Sequence, residues 1–98
     1  MTNGPLRVII HGDSMWPTFR DGEELLFSPP GEEELKVGDV VVATHPLKPG
    51  VTVVKRISRI VEPGRYFLAG DNPDPTASED SHNFGPVSRE AIIAFLCR

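Results

Sequence analysis

Proline and glycine cut this chain into short pieces. Ten prolines and nine glycines are scattered along 98 residues, and both residue types punctuate regular structure. That spacing predicts many short elements joined by turns. Hydrophobic periodicity favours strands almost throughout. Leu6–Ile10 reads as a first strand, ended by the Gly12-Asp13 turn, and Glu23–Phe27 as a second, closed by Ser28-Pro29-Pro30-Gly31. Val40–Thr44 is a continuous apolar run, the mark of a strand covered on both faces. Val51–Val61 is the longest strand candidate, and Arg65–Ala69 follows the Pro63-Gly64 turn. Ala91–Cys97 is ambiguous between a helical turn and a strand; its shortness and all-strand setting favour a strand. Gly70–Pro86 shows no periodicity and reads as one long loop, of a length that compact domains tend to keep for function. The expected class is all-β, one domain over residues 1–98 with one core.

The formal charge is −4, with the acids dispersed. Nucleic acid binding calls for a basic face, which this balance does not offer. A lone cysteine, Cys97, excludes an internal disulfide framework and fits a reducing compartment. No apolar stretch approaches the roughly 18 residues that span a bilayer, and Met1–Ile10 lacks the layout of a secretory signal. A cytoplasmic protein without a membrane anchor is the expectation.

Two stretches carry possible chemistry. In His11-Gly12-Asp13-Ser14-Met15-Trp16-Pro17 a serine sits in a Gly-Asp turn directly after the first strand. In Val51–Ile60 alternate side chains share a face, so Lys55 lies with Val51, Val53 and Ile57, while Arg56 takes the more polar side. A lysine on an apolar face either snorkels to water or loses its proton. Burial disfavours the ammonium, and a neutral amine makes a workable general base. A serine hydroxyl needs such a base to become a nucleophile. Taken singly, Ser14 reads as a turn residue and Lys55 as a solvated edge charge, and those plainer readings prevail until the pieces are considered together.

Together these stretches resemble the type I signal peptidases, serine–lysine proteases that trim leader peptides. The resemblance runs from Val8 to about Phe95: Gly12-Asp13-Ser14-Met15-Trp16-Pro17-Thr18, then Gly38-Asp39-Val40-Val41-Val42, then Val54-Lys55-Arg56-Ile57. Last come Gly70-Asp71-Asn72, Ser78-Glu79-Asp80-Ser81 and Phe84-Gly85-Pro86-Val87. It implies Ser14 as acylating nucleophile, Lys55 as general base, Ser78 orienting the lysine amine and Asp80 holding the loop. Gly12 and Asp13 would support the nucleophile, and the Ser14 N–H would face the oxyanion. Met15 and Trp16 would border the substrate, Met15 also packing under the site. The implied partner is a precursor polypeptide, with no cofactor and no metal.

The chain also departs from the family pattern. Gly12 stands where many members have a serine, and His82 replaces an arginine that pairs with the loop aspartate. The loop is longer around Pro75–Ala77, and neither an anchor nor a large second β domain is present in this sequence. A short, anchor-free member most resembles the maturation proteases of nickel-containing superoxide dismutases, which remove an N-terminal extension from the dismutase precursor. Two alternatives remain open here: a self-cleaving repressor-type domain with the same dyad, and an inactive module that grips extended peptides. His11, His45, His82 and Cys97 share no short metal-ligand spacing. Asp71 and Asp74, in an Asp-Asn-Pro-Asp-Pro run, read as ordinary turn chemistry.

Overall fold

Among the described residues, seven strands line up in one antiparallel sheet. The computed structural model describes residues 4–31 and 34–96. The strands are β1 (Leu6–Ile9), β2 (Glu24–Ser28), β3 (Val40–Thr44), β4 (Thr52–Glu62), β5 (Arg65–Ala69), β6 (Val87–Ser88) and β7 (Ile92–Leu96). Their order across the sheet is β1-β2-β7-β3-β4-β5-β6. The protein is therefore all-β, as its turn-punctuated sequence predicts. No helix among the described residues is long and apolar enough to cross a membrane.

β3 shows why a continuous apolar run was needed. Val41 and Ala43 pack into one core cluster with Ile57, Leu68 and Phe95, while Val40 and Val42 pack into another with Met15, Phe27 and Ala94. Both faces of this central strand are covered, so neither can afford a polar residue. The Ala91–Cys97 ambiguity resolves towards strand: β7 runs between β2 and β3, which places Ala94 and Phe95 in the two clusters. Cys97 lies outside the described residues.

β4 is long because it serves two neighbours in turn. Thr52–Arg56 pairs with β3, and Arg56–Glu62 pairs with β5, with register shifts in the second half. Such irregularities bend a strand and sharpen its twist. The first, between Ile57 and Arg59, follows directly on the passage from β3 to β5, and the second, between Ile60 and Glu62, lies at the end of the strand.

The 70–86 segment differs from the featureless loop that its sequence suggests. A 3-10 turn covers Pro75–Ala77, and a single helical turn, α1, covers Ser81–Phe84. Both are too short for hydrophobic periodicity to register. They are built by side chains bonding backbone: Asp74 accepts from the Thr76 N–H, while Asp80 and Asn83 form a reciprocal capping box at the start of α1.

Candidate active site

The turn that carries Ser14 is held at both ends. The Ile10 N–H donates to the Glu23 carbonyl and the Gly22 N–H to the Ile10 carbonyl, continuing the β1–β2 pairing. Gly12 follows with φ at +82°, a conformation that L side chains rarely adopt, and its N–H donates to Asp21 Oδ1 at 2.7 Å. Beyond Ser14 the chain coils: the Trp16 N–H bonds the Asp13 carbonyl and the Phe19 N–H the Met15 carbonyl. Met15 is 1% exposed and anchors the turn in the core. Ser14 is thus carried on a short arc whose neighbour is buried, and it stays half-buried itself.

Lys55 approaches from β4. It sits opposite Val41 and on the face of Val53 and Ile57, as the alternation of the strand predicts. Only 5% of the residue is exposed. Its Nζ donates to Ser14 Oγ at 3.0 Å. Burial pushes the amine below the ordinary lysine range, against the opposing pull of Asp80 and then Glu79. In a neutral amine the same 3.0 Å contact lets the nitrogen lone pair accept the hydroxyl proton.

The Gly70-Asp71-Asn72 segment locks the two halves together. A Cβ on Gly70 would lie 2.6 Å from the Ser14 carbonyl oxygen and 2.5 Å from Ser78 Oγ, so only glycine lets the loop come this close. The Asn72 N–H donates to the Ser14 carbonyl at 3.0 Å, and its side-chain amide donates to the Asp13 carbonyl at 2.8 Å. Asp71 accepts two bonds from Arg56, at 2.9 and 2.7 Å, and Arg56 also donates to the Gly38 carbonyl. The Arg56 bonds, over the opposing cost of burial and with help from Thr18, hold the Asp71 carboxyl below the usual carboxylate range. Sequence reasoning gave these residues no role beyond motif membership and turn chemistry. The missed signal was Gly70, a glycine at a strand end that leads directly into an Asp-Asn pair.

Asp80 is the hub of the following turn. Its Oδ2 accepts from the Gly70 N–H at 3.1 Å and from the Ser78 hydroxyl at 3.3 Å. Its Oδ1 accepts from the His82 N–H at 2.9 Å and lies 2.8 Å from His82 Nδ1. Burial alone would raise this carboxyl, but the His82 and Gly70 N–H groups and the His82 ring outweigh it and lower it. The expected bond from Ser78 to the lysine amine takes another form. Ser78 donates to Asp80, and the hydrogen bond of the amine runs to Ser14.

A groove of about 210 Å³ opens onto the pair, lined by Ile9, His11, Ser14, Met15, Thr52, Val53 and Lys55 among others. Its walls are the last residues of β1, an edge strand of the sheet, and the Thr52–Lys55 half of β4, which pairs with β3 on one side only. Trp16 is 46% exposed and is not among the lining residues, so the structure places it beside the turn and not in the groove. Among the described residues, no three of His, Cys, Asp and Glu gather into a group that could hold a metal.

A serine and a buried lysine in contact on an all-β scaffold define a class of peptidases, and the comparisons agree. The Peptidase S24-like family model matches residues 6–87, and the chain belongs to that family. It is also 32% identical, over 92% of its length, to mitochondrial inner membrane protease subunit 1 of Xenopus tropicalis, and covers 65% of that protein.

Proposed function

We propose that this protein is a serine endopeptidase that removes an N-terminal leader or propeptide from a precursor, with Ser14 as nucleophile and Lys55 as general base. The observation that carries this reading is the 3.0 Å contact between Ser14 Oγ and a Lys55 amine that burial keeps inclined towards its neutral form. An extended substrate segment lies in the groove as an added strand, its backbone bonded to the open strand edges and its alternate side chains in shallow apolar recesses. Lys55 takes the Ser14 proton as Oγ attacks the scissile carbonyl carbon. The resulting oxyanion is met by the Ser14 N–H, which has no acceptor among the described residues. The ammonium of Lys55 then protonates the leaving nitrogen as the C–N bond breaks, giving the acyl-serine ester. Lys55, neutral again, takes a proton from water as that water attacks the ester, and Ser14 is restored when its oxygen leaves and is reprotonated.

The precursor of a nickel-containing superoxide dismutase is the substrate to try first, on the strength of the resemblance to short maturation proteases. Mass spectrometry of that precursor after incubation with wild type, Ser14→Ala and Lys55→Ala tests the assignment. Wild type should release the extension, and each variant should lose about 10³-fold or more of the activity, because each removes half of one proton-transfer unit. Near-full activity in Lys55→Ala sinks the dyad. A peptide that binds but stays intact in every tube favours the peptide-gripping module, and shortening of the wild-type chain itself favours the self-cleaving kind.

A further inference from the structure

A second polar cluster reaches the same loop from behind β4. His45 opens the turn between β3 and β4, and its side chain is 2% exposed. The Leu47 N–H donates to His45 Nδ1 at 3.0 Å, which leaves the ring proton on Nε2. Nε2 in turn lies 2.6 Å from Glu79 Oε1 and donates to it. The other carboxylate oxygen of Glu79 accepts from Lys48 Nζ at 3.0 Å. Phe84 of α1 packs on the His45 ring with centroids 4.7 Å apart. Both oxygens of Glu79 are therefore held by the hairpin that leads into β4, while its backbone sits between Ser78 and Asp80.

We infer that Glu79 is a positioning residue for Lys55: clamped by His45 and Lys48, it ties the Ser78–Asp80 loop to the hairpin that carries the amine and holds a negative charge near it. The inference rests on the proposed role of Lys55 as base. Charged groups stand on the elements that meet at the amine. Asp80 and Glu79 lie on the loop within electrostatic reach of it, with His82 on Asp80 and with His45 and Lys48 on Glu79. Arg56, next along β4, is taken up by Asp71, and His11 lines the groove. Asp80 and Glu79 favour the ammonium and so oppose the effect of burial. Lys48 compensates part of the Glu79 charge.

Two substitutions separate this electrostatic role from simple support of the fold, because their effects have opposite signs. Glu79→Gln keeps an amide oxygen for the His45 N–H and removes the charge, so Lys55 should titrate at lower pH. Lys48→Met, on an exposed part of the hairpin, leaves the Glu79 charge less compensated, so Lys55 should titrate at higher pH. The readout is a pH titration of the lysine side-chain signals in protein labelled with 13C at lysine Cε, with Lys36 as internal reference, and it needs no turnover. Shifts in the same direction, or a Lys55 titration that neither variant moves, overturn the inference. If Glu79→Gln does not fold, Lys48→Met decides alone. Where wild type cuts the precursor, the rise of kcat with pH should move with the Lys55 titration while KM holds. A precursor left uncut by wild type while the two opposite shifts are seen would count against that precursor as the substrate and leave the Glu79 inference standing.

Discussion

Gly70 and Lys55 show how a single atom decides whether this site exists. At Gly70 even one methyl group would overlap the backbone oxygen of Ser14, and backbone cannot swing aside as a side-chain tip can. Gly70→Ala should therefore push the loop off the Ser14 turn. We expect a loss of about 1–3 kcal/mol in stability, typical of overpacking. Cleavage should fall by about 10²-fold, as ångström-scale misplacement of reacting groups does. Urea melts and initial rates check the two halves of that expectation, and an unchanged rate would remove the loop from the account. Lys55 was legible in the sequence because a strand sorts its side chains by parity. Gly70 was not, because the need for a missing Cβ arises only from what stands opposite it.

Among the elements, β4 does the joining. Its first half delivers Lys55 to the groove and its second half pairs with β5, whose end runs into Gly70. Arg56 stands at the changeover and pins Asp71, so the strand and the loop are tied together. Asp71→Asn should leave the guanidinium without its charged partner and cost about 1–3 kcal/mol, the range for hydrogen bonds to charged groups. A double-mutant cycle with Arg56→Met measures the coupling by thermal or urea unfolding; additivity of the two changes would mean that the pair is idle. Strand positions were readable from periodicity, with β3 and β5 matching their expected bounds and β1, β2 and β4 differing by a residue or so at the ends. The partners of β4 were not, since pairing depends on residues far along the chain. The helical turn α1 escaped notice for a related reason: four residues with a side-chain cap carry no period to detect.

For the molecule as a whole, pH dependence has two windows, one acid and one alkaline, and stability rises with pH through both. Asp71 and Asp80 have folded-state pKa values below their unfolded ones. Their contribution is present above the ordinary carboxylate value, near pH 4, and is lost as pH falls through the lowered folded values. For Lys55 the charged form is the one the fold disfavours, and the window is alkaline. Its folded pKa lies below the unfolded value of 10.5, so between the two the unfolded chain binds more protons and stability rises with pH. Below the folded value the cost of burying the ammonium is carried in full. Calorimetry should accordingly show Lys55→Met more stable than wild type near neutral pH, with the gain fading towards pH 10. A gain that grew with pH would contradict the sign of the shift. The wild-type melting temperature should also drop between pH 5 and pH 3, and less so in Asp71→Asn.

By itself the sequence determined the strand-rich class, the two-faced burial of β3 and the side of β4 on which Lys55 falls, because each depends on neighbours within a few residues. It also supplied Ser14 in its turn, through the obligatory freedom of a glycine at position 12. The meeting of that hydroxyl with that amine was decided by tertiary structure alone, as were the close approach at Gly70, the Arg56–Asp71 strap and the His45–Glu79–Lys48 clamp. Such contacts join residues 15 to 59 positions apart, and no local pattern encodes a distance between groups that only the folded sheet brings within reach.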